Sequence, residues 1–286
     1  MIGAQLRGVK DEIARWRAIG QRPAFWIRDD DAHAACGELE RLTAIAIRHN
    51  VSVGLAFVPG LLAADLVPFL RRHSGKLYPM CHGWKHVNYA SPDNPSEFGA
   101  NRSHPAARLD AVCALKTFRH HFPQVPAIFV PPFNRIAPQM IDALSGIGFA
   151  GLSAAPRPLE RRLARVVGRL DWPAPTVNIA WRRAPPRIDA HIDLIDWRSG
   201  SARDLNAIAD ALLGQLRLRR RAFLPARAPI GLLTHHRVHD EPIWRLFEAL
   251  IVFVKDELGG DFVDVDRMFH ACLPAASIGS GSHALP

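Results

Sequence analysis

The sequence predicts an α/β fold, an irregular (β/α) barrel of about seven parallel strands, on three observations. Short β-rich runs alternate with amphipathic helical stretches along the chain, a pattern that implies βα units and a mainly parallel sheet. Polar side chains able to do chemistry collect where those runs end, which is where α/β barrels build their sites. No G-x-G-x-x-G follows a strand, and this disfavours a doubly wound dinucleotide-binding sheet.

The elements follow in order. Residues 1–20 read as a helix with Leu6, Val9, Ile13 and Trp16 on one face, spaced to pack against the barrel. Strands are expected at 24–28, 51–58, 77–80, 127–130, 149–153, 188–193 and 230–234. Helical periodicity falls between them at 37–49, 61–73, 104–121, 136–147, 202–220 and 240–258. Residues 154–187, rich in Pro and Arg, read as an insertion or long loop, and 273–286 as a flexible tail. A chain of 286 residues can bury one large core, so a single catalytic barrel domain over 1–272 is the expected organisation.

Composition excludes several classes. Hydrophobic content of 48% with 22% charged residues is globular, and no apolar run is long enough to span a bilayer. Charged residues from Arg7 to Arg17 interrupt the region where a signal peptide would need its apolar stretch, and four cysteines without a CxxC pair suit reduced thiols. Both point to the cytoplasm. The formal charge of +9 is concentrated: eight arginines stand against Glu160 and Asp171 in 157–187, and a second run is Arg217, Arg219, Arg220 and Arg221. No basic module with interleaved aromatics accompanies them, so nucleic acid is not the expected partner, whereas an anionic saccharide fits.

The chemistry concentrates at strand ends. Asp29, Asp30 and Asp31 close the run WIRDDDA, where three carboxylates repel one another unless a cation sits there; His82 and His86 lie four apart in CHGWKH. One Asp with two His is an open three-ligand set for Zn²⁺ or a similar divalent metal. Further candidates are Phe133, Asn134 and Arg135 after the fourth strand, Asp193, Asp196 and Trp197 near the sixth, and His235 with His236 after the seventh. His191, His236 and His239 read as structural histidines and Cys81 as a buried thiol.

The order of these segments resembles the metal-dependent polysaccharide deacetylases of carbohydrate esterase family four, and within them a bacterial polysaccharide deacetylase-like subgroup. The carriers are Arg28-Asp29-Asp30-Asp31-Ala32, His82-Gly83-Trp84-Lys85-His86, Val130-Pro131-Pro132-Phe133-Asn134, Asp193-Leu194-Ile195-Asp196-Trp197 and Leu233-Thr234-His235, spanning roughly residues 24–265. The resemblance implies a hydrolase acting on C–N amide bonds, which removes an N-acetyl or related acyl group from a saccharide or glycoconjugate by metal-activated water. It implies Asp31, His82 and His86 as ligands of a divalent metal, with Zn²⁺ favoured, Asp30 as base, and His235 as the acid for the departing nitrogen. The Phe133 backbone N–H would stabilise the oxyanion, and Asp193 or Asp196 with Trp197 would orient His235. Three departures stand out. Arg28 and Asp29 precede the acidic pair where the pattern has Thr and Phe, so Asp29 as base with Asp30 as ligand is a second register. Gly83 replaces a bracing Ser or Thr, and Val130 stands where an Arg is expected, leaving Arg135 or Arg28 to reach the base. Rival readings are a hydrolase of another small amide or ester at the same metal site, and a catalytically silent sugar-binding relative.

Overall fold

The computed structural model describes residues 6–169, 186–221, 223–225 and 228–271. After α1 (Arg7–Ala18) the chain enters β1 (Ala24–Ala32), α2 (Gly37–Arg48), β2 (Val53–Phe57), α3 (Leu66–Arg72), β3 (Leu77–His82), α4 (His104–His121), β4 (Ile128–Val130), α5 (Pro138–Ile147) and β5 (Gly151–Leu152). It continues through α6 (Pro158–Arg169), β6 (Ala190–Asp193), the short antiparallel pair β7 (Ile195–Asp196) and β8 (Ser201–Ala202), α7 (Leu205–Arg220), β9 (Ile230–Thr234), α8 (Glu241–Val252), β10 (Asp261–Phe262) and α9 (Val265–Ala271).

Seven parallel strands, in the order β5-β4-β3-β2-β1-β9-β6, curl into a half-barrel, and β10 pairs with the start of β1. The residues leading into β6 reach back to β5: Leu152 N donates to Pro186 O at 2.9 Å, Ile188 N to Leu152 O at 3.1 Å and Ala190 N to Ala154 O at 3.0 Å. These bonds satisfy the two outer edges of the sheet against each other, which leaves less backbone unpaired than an open sheet would. The irregular (β/α) barrel expected from the sequence is the observed fold.

Strand alternation sorts the core into two layers. Phe25, Ile27, Val53, Leu55, Phe57, Leu77, Cys81 and Phe129 join the layer that packs under the helices, together with Leu6, Val9, Ile13 and Trp16 of the N-terminal helix. Burying each large apolar side chain contributes about 1.5–3 kcal/mol. Trp26, Ala56, Tyr78, Met80, Ile128 and Val130 form the other layer, with Val265 and Phe269 of α9 packed among them. The Phe269 ring meets Trp26 edge-on at 5.9 Å and stacks on Tyr78 at 5.9 Å. Trp26, Arg28 and Asp30, two residues apart on β1, therefore share one face, and Tyr78, Met80 and His82 do the same on β3.

Several expectations change. β1 runs to Ala32 instead of stopping at Arg28, because each carboxylate finds a partner. The helix expected at 61–73 is split into a tight turn at Pro59–Leu61 and α3. Residues 154–187, expected as a loop, contain α6, whose Pro158 occupies the first helical position, where its missing N–H costs nothing. The remainder of that segment, 170–185, and the tail 273–286 lie outside the described residues. The β7–β8 hairpin and β10 are two residues per strand, too short to produce a periodic signal.

Candidate metal centre

The strand end of β1 decides the geometry. An ordinary pleat would send Asp30 and Asp31 to opposite faces, but the β1–β2 register shifts between Asp29 and Ala32, and Asp31 takes a left-handed φ of 71°. That bulge turns the Asp31 carboxylate toward β3. Its Oδ1 lies 3.0 Å from His82 Nε2 and 3.1 Å from His86 Nε2. One ligand atom from each of the three residues falls within 4.8 Å of the others. Burial works against the Asp31 carboxylate, yet the hydrogen bonds to His82 and His86 outweigh it and hold the group far below the usual carboxylate range.

The two imidazoles are held from behind. His82 ends β3, and its Nδ1 contacts the Val130 carbonyl at 3.1 Å, so Nε2 is the nitrogen turned to Asp31. His86 sits in the loop beyond with φ of 59°, its ring 4.4 Å from Phe133. That loop is braced by Glu97, fully buried, which accepts from Trp84 N at 3.1 Å and Lys85 N at 2.8 Å. Glu97 thus supplies the support that Gly83 cannot. Gly83 has φ of 57°, and a Cβ there would lie 2.4 Å from Glu97 Oε2 and from Pro132, so the brace and the glycine require one another. Asp31, His86, Phe133 and Asn134 are four of the five non-glycine residues with left-handed φ among the described residues. Backbone strain of this kind persists where surrounding structure over-determines it and clusters at functional sites.

Asp30 lies beside this cluster on a different partner. Arg28, wholly buried, ion-pairs with it through Nη2 to Oδ2 at 2.9 Å and Nε to Oδ1 at 2.9 Å. The same guanidinium donates to Ser153 Oγ at 2.8 Å and to the Asn134 side chain, so it ties β1 to the turns after β4 and β5. With Val130 at the end of β4, the arginine that reaches the carboxylate comes from β1 itself. Across the site, His235 Nε2 stands 4.0 Å from Asp30 Oδ2, and its Nδ1 has no partner among the described residues.

Asp193 does not hydrogen-bond His235. Its Oδ2 accepts from Trp197 Nε1 at 2.8 Å, and the Trp197 ring meets His235 edge-on at 4.6 Å, so the indole lies between the carboxylate and the histidine. Burial raises the Asp193 carboxyl above its ordinary value, opposed by His235 and by the Trp197 hydrogen bond. Asp196 is exposed and accepts from Arg198 N in the β7–β8 hairpin, and Arg135 donates to the Pro95 carbonyl at 2.9 Å. Neither joins the cluster. The Phe133 N–H has no acceptor among the described residues. His236 is buried against Asp29 and His191 against Glu160 at 3.2 Å, and Cys81 is buried with its thiol pushed well up by desolvation. Of the expected residues Arg28 reaches the base and Asn134 takes its hydrogen bond, while Ser153 and Glu97 complete the site beyond the expected set. Neither Ser153 nor Glu97 carried a signal in the sequence.

Solved structures resemble this chain over nearly its whole length. A Mycobacterium smegmatis protein assigned to the polysaccharide deacetylases superposes with a TM-score of 0.57 at 10% identity, covering 88% of this chain and 91% of the other. The fold is that of the polysaccharide deacetylases. A family 4 acetyl xylan esterase from Clostridium thermocellum, in complex with a cobalt ion, gives a TM-score of 0.51 at 13% identity over 87% and 91% of the two chains. The peptidoglycan N-acetylglucosamine deacetylase Bc1960 gives 0.50 at 14% identity over 89% and 95%. No family model and no curated protein matches this chain by sequence. The deacetylase fold is therefore a structural likeness carried on few shared residues.

Proposed function

We propose that the protein is a metal-dependent hydrolase that removes an N-acetyl or related acyl group from a saccharide or glycoconjugate. The observation that carries the reading is the convergence of Asp31, His82 and His86 within 4.8 Å, with Asp30 and His235 facing each other 4.0 Å apart beside them. The donor set fits a divalent ion: two imidazole nitrogens and one carboxylate suit Zn²⁺ or Co²⁺ better than Mg²⁺ or Ca²⁺, which prefer oxygen ligands. Such an ion, when bound, supplies Lewis acidity toward the acyl oxygen and lowers the pKa of water.

The chain's own residues supply the rest. Asp30 accepts the proton of the attacking water, and Arg28 keeps that carboxylate oriented. The Phe133 N–H donates to the oxygen on which negative charge develops. His235 hands a proton to the departing nitrogen, held in place by Trp197 and, through it, Asp193. The domain is a single catalytic barrel over 1–272. The free thiols Cys36, Cys81 and Cys113 support a cytoplasmic setting. Among the described residues no helix is long and apolar enough to cross a membrane.

Acetate release from a panel of N-acetyl sugars and xylan acetate, alongside elemental analysis, tests the reading. Acetate from an N-acetyl sugar, with about one metal per chain, is the expected result. Metal retention with acetate released only from the esters would make the protein an esterase.

A further inference from the structure

Next to Asn134, the residue that takes a hydrogen bond from Arg28, the structure has a cleft of about 570 Å³. Its walls come from the loop before α4, from the turn into α5 and from residues 154–161 with Arg187. The size suits one small ligand or ligand fragment. Its lining, among the described residues, includes Arg135, Arg157, Arg161 and Arg187 and no carboxylate.

Four guanidinium groups around one cavity are costly to hold together. Asp189 takes Arg187 Nε at 2.8 Å on both oxygens and Glu160 is engaged by His191 at 3.2 Å, and neither carboxylate lines the cleft. Burial and the neighbouring Arg187 push the Arg157 guanidinium below its ordinary value. Arg187 is also tethered to the Ala155 carbonyl and Arg135 to that of Pro95, which fixes two of the charges in place. The first residues of α5 and α6, Pro138 and Pro158, line the same cleft and add the positive ends of their helices.

We propose that this cleft binds an oxyanion, a phosphate or carboxylate carried by the saccharide a short distance from the acyl group to be removed. The word saccharide rests on the deacetylase reading; the oxyanion chemistry does not. Guanidinium groups bind both anions through paired N–H donors, and the energy of a bound charge remote from the reacting carbonyl orients the substrate. The substrate class is then an acidic N-acyl sugar or sugar phosphate instead of a neutral polymer.

The test is calorimetric titration of the full chain, at low ionic strength, with inorganic phosphate and in parallel with glucuronate. The stronger of the two identifies the oxyanion. Arg157→Gln with Arg161→Gln should weaken binding about tenfold or more, by loss of charge-assisted hydrogen bonds. Asn101→Asp, which adds a carboxylate to the lining while keeping every arginine, should also weaken it. His82→Ala should leave it intact. No saturable binding to the parent chain, undiminished binding in the arginine variant, or loss of binding in His82→Ala would each overturn the proposal. A second measurement compares acetate release from N-acetylglucosamine 1-phosphate and from N-acetylglucosamine, and the arginine variant should lower kcat/KM for the phosphorylated sugar only. If neither sugar releases acetate while phosphate still titrates, the deacetylase reading fails and the oxyanion cleft stands.

Discussion

Asp29 and Asp31 are two residues apart on one strand, both meet histidine, and they end in opposite situations. Asp29 is fully buried: its Oδ2 accepts from His236 N at 2.8 Å and its Oδ1 contacts His236 Nδ1 at 2.5 Å, so both oxygens are spent on one neighbouring loop. Burial still raises its carboxyl above the ordinary value. Asp31 keeps about 30% of its side chain exposed and meets two Nε2 atoms that converge on a single oxygen. The first arrangement locks the loop after β9 to β1. The second leaves lone pairs facing a common point, which is what an open metal site requires. A chemical pair alone does not make a site; exposure and convergence do, and here the bulge at Asp31 creates both.

The largest effect should come from the residue between them. Asp30→Asn keeps the shape and the contact to Arg28 Nη2 but removes the base, and acetate release should fall about 10²–10⁴-fold with metal content unchanged. Activity close to the parent would move the base elsewhere, and with it the contrast between the sealed and the open carboxylate.

Gly83→Ala sharpens the comparison from the open side. Its added Cβ would meet Glu97 and Pro132 at 2.4 Å on a backbone with φ of 57°. The histidine loop should shift, metal content should drop, and thermal unfolding should show a cost of about 1–3 kcal/mol from the strained φ alone. A stable, fully metallated variant would show the loop to be more adaptable than its brace suggests.

Glu97→Gln keeps one acceptor and loses the charge. Metal affinity measured by chelator competition should weaken by about tenfold, as for other groups that orient ligands, with the fold intact. Asp29→Asn tests the sealed side and should be the mildest for chemistry. Its cost is about 1–3 kcal/mol of stability from an under-satisfied buried contact, with metal content and kcat near those of the parent.

The fold was legible because its signals are local. Period-2 and period-3.6 runs placed the seven strands of the sheet, and Leu6 with Val9, Ile13 and Trp16 of α1 are all buried as spaced. Asp31, His82, His86, Asp30 and His235 could be grouped because strand ends in a parallel barrel converge whatever the loops do. The supports were not legible. Glu97 sits in an irregular stretch with no pattern to mark it, and its role depends on a loop folding back on it. The bulge that re-aims Asp31 leaves no signature in DDD, since any of three carboxylates could take the left-handed φ. Arg135 and Asp196 were misplaced for the same reason: near neighbours in sequence diverge once a turn begins, so Arg135 leaves the site toward Pro95 while Asn134 stays in it.

The central claim is that one bulge gives adjacent aspartates different jobs, and metal titration of Asp30→Asn and Asp31→Asn side by side tests it most directly. The geometry predicts one Zn²⁺ per chain with near-parental affinity in Asp30→Asn and markedly weakened binding in Asp31→Asn. Retention by Asp31→Asn with loss in Asp30→Asn would contradict it and shift both roles one residue toward the N-terminus, to Asp29 and Asp30.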